Sequence, residues 1–338
     1  MNSPLISLII PMHNAEKFIA ECLDSAIQQT YKNIEIIIVD DCSSDKSAEI
    51  VNGYIKNSDN IHYFKTENKN AAKTRRDGLG KAKADLICFV DADDVLEAVY
   101  VEYLYKVMVE TKTSISACEM DIFSGIFAPT EIKAWDSAHT ISSDADSFAN
   151  HYHISDTNKL VLQTLHCKLF KKELFDDIDY TVLVTNIFED NFVMAQVLRK
   201  VDEIGVVDRV LYWYRQTENT TSSGTLQTKV EFEGRVLNFV DFFKDVVMEY
   251  CKKTLRGQNV DAAIDRIGVT EFYNYAQMVP ELKVHIEHLE QKVKLKEDYA
   301  KNRDTQLKAI EDSREYKIGH ALTKPLNKII NTFKSKEK

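Results

Sequence analysis

Three acids within four residues, Asp91, Asp93 and Asp94, follow directly on the apolar run Leu86-Ile87-Cys88-Phe89-Val90. That run has the length of one buried strand rather than a helix. Acids at the C-terminal end of a buried strand stand where open α/β sheets bind ligands. Strand alternation predicts that Asp91 and Asp93 share one side of the backbone. Two carboxylates so placed either share a cation or one of them gives up its charge. A hard divalent ion, Mn2+ or Mg2+, completed by waters and phosphate oxygens, suits the pair. A solvated acidic loop has the same composition, so the surrounding chain must decide. Two further acidic pairs stand out: Asp40-Asp41 after the run 34–39, and Glu189-Asp190 within 186–192.

The elements that would position these acids alternate. Leu5 to Ile10 reads as a buried strand stopped by Pro11, and Asn14 is placed to cap a helix over 17–29. A second strand over 34–39 leads into Asp40-Asp41, followed by a helix over 46–55 and a short strand over 61–64. A basic helical stretch, 71–84, then precedes the strand that carries Asp91. Strands alternating with helices imply a mostly parallel sheet with right-handed crossovers. Beyond the acids, 98–109 is patterned as an amphipathic helix and 114–122 as a strand. The stretch 125–146 has little periodicity and reads as a loop or hairpin. Another strand is expected over 206–214, then a polar loop over 216–224.

At 338 residues, with 44% hydrophobic and 28% charged side chains, the chain has ample length for a real core. A net charge of -10 argues against a nucleic-acid binder. Its six cysteines are scattered with no CxxC pair, which suggests reduced, buried thiols. His151, His153, His166 and Cys167 do not match the ligand spacing of a zinc site. The N-terminus lacks a basic leader and no apolar stretch is long enough to span a bilayer. A cytoplasmic location is expected, with peripheral attachment to the inner face of the membrane left open.

The segments SLIIPMHNAEKFIAECLDSAIQQTY, EIIIVDDCSSDKS and FVDADD together resemble the N-terminal half of a family 2 glycosyltransferase of the GT-A fold, almost without gaps from Ser7 to Leu96. The resemblance implies an α/β fold, a mostly parallel Rossmann-like sheet flanked by helices, with a helical C-terminal extension here. It also implies inverting transfer of a sugar from a nucleotide diphosphate donor, most simply a UDP-sugar. Pro11 and Asn14 match the turn along the nucleotide, Glu16 an acid facing the nucleoside, and Asp40 and Asp41 the acidic pair near the base. Arg75 matches an arginine near base and diphosphate. Asp91 and Asp93 match the DxD motif, with Asp93 the more direct ligand of the metal–diphosphate unit. Asp190 matches the catalytic base, and Glu189 is either its neighbour or the base itself. Tyr212, Tyr214 and Arg215 resemble a closing YxYR segment, in which Arg215 could meet the diphosphate. Lys168 lies in a segment, 166–170, resembling one in which a lysine and two apolar residues precede a helix under the active site.

Two positions depart from the family's pattern. Asn70 stands where glycine is common, in a turn that would favour positive φ, and Arg76 replaces the usual asparagine. Lys69, Lys73, Arg75 and Arg76 could form a basic patch facing the diphosphate. The expected organisation is a transferase domain over 1–225, a helical region over 226–280, and a long helix with a basic tail over 281–338. Residues 286–310 step at heptad spacing and suggest self-association. Seven Lys/Arg against two acids in 314–338 suit an anionic membrane surface. The expected acceptor is a growing surface glycan, capsule or lipopolysaccharide, or a lipid-linked glycan. A nucleotidyltransferase would carry a glycine-rich basic turn where this chain has Pro11-Met12-His13-Asn14. The alternative from another class is a non-catalytic, degenerate transferase domain serving as a scaffold in a polysaccharide assembly complex.

Overall fold

A computed structural model describes residues 3–125, 127, 135, 137–143, 162, 164–180, 189–216, 229–232, 235–238 and 249–254. The chain separates into two compact units, Met1–Asn274 and Tyr275–Lys338. The expected heptad helix over 286–310 and basic tail over 314–338 lie outside the described residues, as do His151 and His153. Among the described residues no helix is long and apolar enough to cross a membrane.

The N-terminal half builds four parallel strands. β1 (Ile6–Met12) lies between β2 (Ile34–Asp41) and β4 (Leu86–Phe89), and β3 (Ile61–Thr66) extends the sheet beyond β2. Helices α1 (Ile19–Ile27), α2 (Ser47–Ile55) and α3 (Ala71–Lys81) make the crossovers. Strand β1 runs through Pro11 instead of stopping there. Strand β4 pairs with β1 only as far as Ile9, so Pro11 sits where no ladder on that side needs its missing N–H.

The second half is mixed rather than parallel. After β5 (Val95–Leu96) and α4 (Tyr100–Thr111) come β6 (Ile115–Phe123), β7 (His139–Ser142) and β8 (Lys168–Lys171). They are followed by α5 (Glu189–Leu198) and β9 (Glu203–Arg215). The sheet order is β3-β2-β1-β4-β8-β6-β9-β5, with β7 also on β9. Strand β8 runs antiparallel to both β4 and β6, and so ties the two halves together. A small hairpin, β10 (Lys229–Phe232) with β11 (Arg235–Asn238), and α6 (Glu249–Thr254) complete the described residues.

Two apolar clusters sandwich the sheet. One joins Ile6, Leu8 and Ile10 of β1 to Leu23 of α1, Val51 of α2 and Leu104 of α4. The other joins Ile9, Ile37 and Phe89 to Leu79 of α3 and Phe192 of α5. Alternate residues of β1 therefore serve opposite faces, and a near-continuous apolar strand is what a sheet covered on both sides requires. The five described thiols, Cys22, Cys42, Cys88, Cys118 and Cys167, are free, and all but Cys42 are buried.

Candidate active site

The acidic residues collect at the C-terminal ends of β1, β2 and β4. At their centre is Arg75, on the inward face of α3 and only 7% exposed in its side chain. Its guanidinium meets Asp91 Oδ1 at 2.7 Å, Asp190 Oδ1 at 3.2 Å and Glu189 Oε1 at 3.3 Å. The first turn of α5 supplies the last two acids, so one arginine on α3 gathers three carboxylates from two other places, the turn after β4 and the start of α5. Burial pushes the Asp91 carboxyl up, but Arg75 and then His166 outweigh it and hold it below the usual range. Burial, then the neighbouring Asp190 charge, lifts Glu189 to about 7. Asp190 is held twice, because its Oδ2 also accepts from the Leu165 N–H at 2.9 Å. The Lys168 ammonium, fully buried, holds that turn by donating to Thr164 O at 2.6 Å and His166 O at 3.0 Å.

The three acids after β4 part company. The chain turns here, with Asp94 N donating to Asp91 O at 3.1 Å, so strand alternation does not govern where the side chains go. Asp94 is fully buried; it accepts from the Tyr212 hydroxyl at 2.6 Å and from Arg215 N at 2.8 Å. Asp93 has no ion-pair or side-chain hydrogen-bond partner among the described residues. Burial, then the charge of Asp91, raises its carboxyl to about 6. A cation beside Asp93 would oppose both effects, and a hard ion accepts a single carboxylate when waters and phosphate oxygens fill its other positions. No three metal-ligating side chains converge among the described residues. Asp91, engaged by Arg75, fits a direct ligand less well than Asp93.

The remaining candidates divide between mouth and frame. Asn14 does not cap α1, whose N-cap is Phe18. It adopts φ 50° and accepts from Ser44 N at 2.8 Å, which locks the β1 turn to the β2 turn. Glu16 adds to that lock by accepting from Lys46 N at 3.0 Å. Asp40 accepts from Ser43 N at 2.9 Å and from the Tyr63 hydroxyl. Asp41 accepts from Lys69 N at 2.8 Å, Asn70 N at 3.0 Å and Thr74 Oγ1 at 3.0 Å, and so fastens the start of α3 to β2. Lys69, at φ 49°, takes the left-handed position that was expected at Asn70. Asn70 is extended and caps α3 by accepting from Lys73 N at 3.0 Å. Arg76 points outward and pairs with Asp77, so the four basic residues do not form one patch with Arg75. Arg215 is buried beneath the acidic turn. Its guanidinium donates to Asp93 O at 2.7 Å, to Gly125 O and to Glu21, and packs on the Phe123 ring at 4.3 Å. That is a supporting position under the turn, with its hydrogen bonds already made inside the chain.

Residues 7–179 match the family model Glycosyl transferase family 2. The chain belongs to that family. It is 31% identical over 220 residues to glycosyltransferase GlyA of Streptococcus pneumoniae, which covers 64% of this chain and 31% of GlyA. With glycosyltransferase GlyG of the same species it is 28% identical over 257 residues, 74% of this chain and 80% of GlyG. Among solved structures, S. aureus TarS in complex with UDP-GlcNAc aligns with a TM-score of 0.57 at 21% identity. That alignment covers 78% of this chain and 70% of the TarS chain. The TarS likeness is one of fold, and it carries the GT-A architecture across to the mixed sheet described here. Family membership makes the chain a transferase.

Sequence reasoning passed over two participants. Tyr212 was visible only as part of YxYR, yet its hydroxyl both donates to Asp94 and accepts from Asp91 N at 3.1 Å. His166, considered as a zinc ligand and as the first residue of the segment 166–170 but given no role in the site, lies against Asp91, with Nδ1 3.8 Å from Oδ2.

Proposed function

We propose that this family 2 transferase moves a sugar from a nucleoside diphosphate donor, a UDP-sugar, to a hydroxyl of a growing surface glycan with inversion at the anomeric carbon. The observation that carries it is the cluster in which Arg75 draws Asp91, Glu189 and Asp190 together beside Asp93, which has no side-chain partner among the described residues. Asp190, fixed by Arg75 and the Leu165 amide, accepts the proton of the attacking hydroxyl. The hydroxyl oxygen forms the new bond to the anomeric carbon as the bond to the diphosphate oxygen breaks, and the nucleotide departs with that electron pair. Glu189 orients the acceptor hydroxyl and shares the field of Arg75. Asp93, with Asp91 behind it, would hold Mn2+ or Mg2+, which supplies charge stabilisation for the diphosphate as it leaves. Pro11, Asn14 and Glu16 border the nucleotide, and Asp40 and Asp41 shape the wall near the base. A lipid-linked acceptor at the cytoplasmic face of the membrane, of capsule or lipopolysaccharide type, agrees with the basic segment 314–338.

The test is nucleotide release from a panel of UDP- and GDP-sugars with Mn2+, with and without EDTA, for wild type, Asp93→Ala and Asp190→Asn. Turnover of one donor that is abolished by EDTA and in Asp93→Ala is expected. Asp190→Asn should keep UDP binding and lose at least about a hundredfold in turnover, the usual share of a general base. Failure of the wild type to bind UDP with metal would instead favour the non-catalytic scaffold.

A further inference from the structure

His166 follows the turn that holds Asp190, and its imidazole is 8% exposed. The ring stacks on Tyr212 at 5.0 Å and on Tyr214 at 6.1 Å, with interplanar angles of 21° and 22°. Two aromatic neighbours therefore fix its plane. Nδ1 is buried and has no hydrogen-bond partner among the described residues, and neither has Arg75 Nε in the same cluster. The gap from Nδ1 to Asp91 Oδ2, 3.8 Å, is too long for a hydrogen bond but open to an oxygen bonded to both. The other ring nitrogen, Nε2, lies 3.3 Å from Met120 Sδ, a weak partner in either role. Facing a carboxylate, Nδ1 is the better place for a ring hydrogen.

A buried polar nitrogen without a partner is costly and rare in a native protein, and one set beside the Arg75 and Asp91 cluster points to a group the substrate brings. The group must accept from an N–H on one side and donate to a carboxylate on the other. A sugar hydroxyl does both. Asp91 and Asp93 share one turn, so a diphosphate held near Asp93 puts its own sugar, rather than the acceptor, first in reach of Asp91.

We infer that His166 is a specificity-determining residue that, together with Asp91, reads one hydroxyl of the donor sugar. This rests on the donor assignment proposed above. Nδ1–H donates to the hydroxyl oxygen and the hydroxyl hydrogen is given to Asp91 Oδ2. An epimer with that hydroxyl turned away leaves both groups unpaired.

The test is equilibrium titration, with Mn2+ and without acceptor, of UDP, UDP-glucose, UDP-galactose and UDP-GlcNAc against wild type and His166→Phe. Phenylalanine keeps the stack on Tyr212 and Tyr214 and removes only the ring nitrogens. The wild type should separate the sugars, and His166→Phe should bind UDP as the wild type does while the spread between sugars narrows about tenfold, the worth of one hydrogen bond. His166→Leu, which removes the N–H with a smaller side chain, checks the result should the phenylalanine variant unfold. Equal wild-type affinity for all three sugars, or a spread unchanged in both variants, overturns the inference. A loss seen only in sugar transfer, with donor affinities intact, assigns the hydroxyl to the acceptor and overturns it as well. No UDP binding by the wild type would instead be the failure of the donor assignment itself.

Discussion

Replacing Arg75 with methionine should destabilise the first unit strongly at neutral pH and much less in acid. The guanidinium is 7% exposed and within 3.3 Å of three carboxylates, whose side chains are 24% (Asp91), 14% (Glu189) and 18% (Asp190) exposed. Breaking a buried ion pair by removing one partner costs about 3–5 kcal/mol. Some solvent reaches all three acids, so the lower end, about 3 kcal/mol, is the better expectation. At roughly 2–4 °C per kcal/mol, the thermal midpoint should fall by about 6–12 °C at pH 7.5. The sign of the pH dependence follows from the carboxyls. Arg75 helps hold Asp91 below the usual range, and a depressed carboxyl adds stability above its unfolded value that is lost as pH falls. The variant lacks that contribution. Glu189, already lifted to about 7 mainly by burial, rises further without the arginine; a raised carboxyl favours the fold below its unfolded value and disfavours it as pH climbs. The gap between the two proteins should therefore be widest at pH 7–8 and close towards pH 4. Arg75→Lys should fall between them, because one ammonium lacks the fork that serves several carboxylates at once. Differential scanning fluorimetry from pH 4.5 to 8 reads all three proteins. An Arg75→Met midpoint within about 2 °C of wild type at pH 7.5 would refute the clamp, given the cost of a broken buried pair. So would a loss that does not change with pH.

Tyr212→Phe should lower the midpoint and weaken metal-dependent donor binding together, since it leaves Asp94 Oδ2 and the Asp91 amide unpaired at about 1–3 kcal/mol each. An unchanged midpoint in thermal unfolding would remove Tyr212 from the frame of the acidic turn. Within α3, two glycines should respond with opposite sign. A Cβ at Gly78 would collide with Ile9 Cγ2 and stand 3.2 Å from Val39 Cγ2, so Gly78→Ala should cost about 1–3 kcal/mol. Nothing lies within 4 Å of a Cβ at exposed Gly80, so Gly80→Ala should add up to about 1 kcal/mol of helix propensity. Denaturant midpoints of the two variants moving the same way would contradict the close packing of α3 on β1 and β2.

The parallel half of the fold was legible because each of its signals is local. Apolar runs of strand length, helical spacing between them and acids at strand ends all act within about ten residues. The mixed half was not, since β8 enters between β4 and β6 from far along the chain and nothing in 168–171 announces its direction. Asn14 shows the same limit on a smaller scale. Its type suits an N-cap, but a turn 30 residues away uses its carbonyl oxygen, and α1 begins later without a side-chain cap. Asn70 went the other way: a residue expected to tolerate a left-handed turn became the cap, and its neighbour Lys69 took the turn.

Acid type and spacing located the acidic cluster, but charge density in sequence could not divide the acids by partner. Asp91, Asp93 and Asp94 look alike in the run DADD. In the fold Asp91 goes to Arg75, Asp94 to Tyr212 and the Arg215 amide, and Asp93 to no side chain among the described residues. The partners that make this division are 16, 118 and 121 residues away from the acids they hold. Asp41 and Arg215 make the same point from the other side: both have the chemistry to meet a nucleotide, and both are engaged by distant parts of the chain, the start of α3 and Glu21. A charged group with its partner built in positions others, whereas one left without a partner is available to what comes from solution. By that criterion Asp93 and His166 are the groups proposed to meet what binds, whereas Asp190, held by Arg75 and the Leu165 amide, is given the proton by the proposed mechanism and not by lack of a partner.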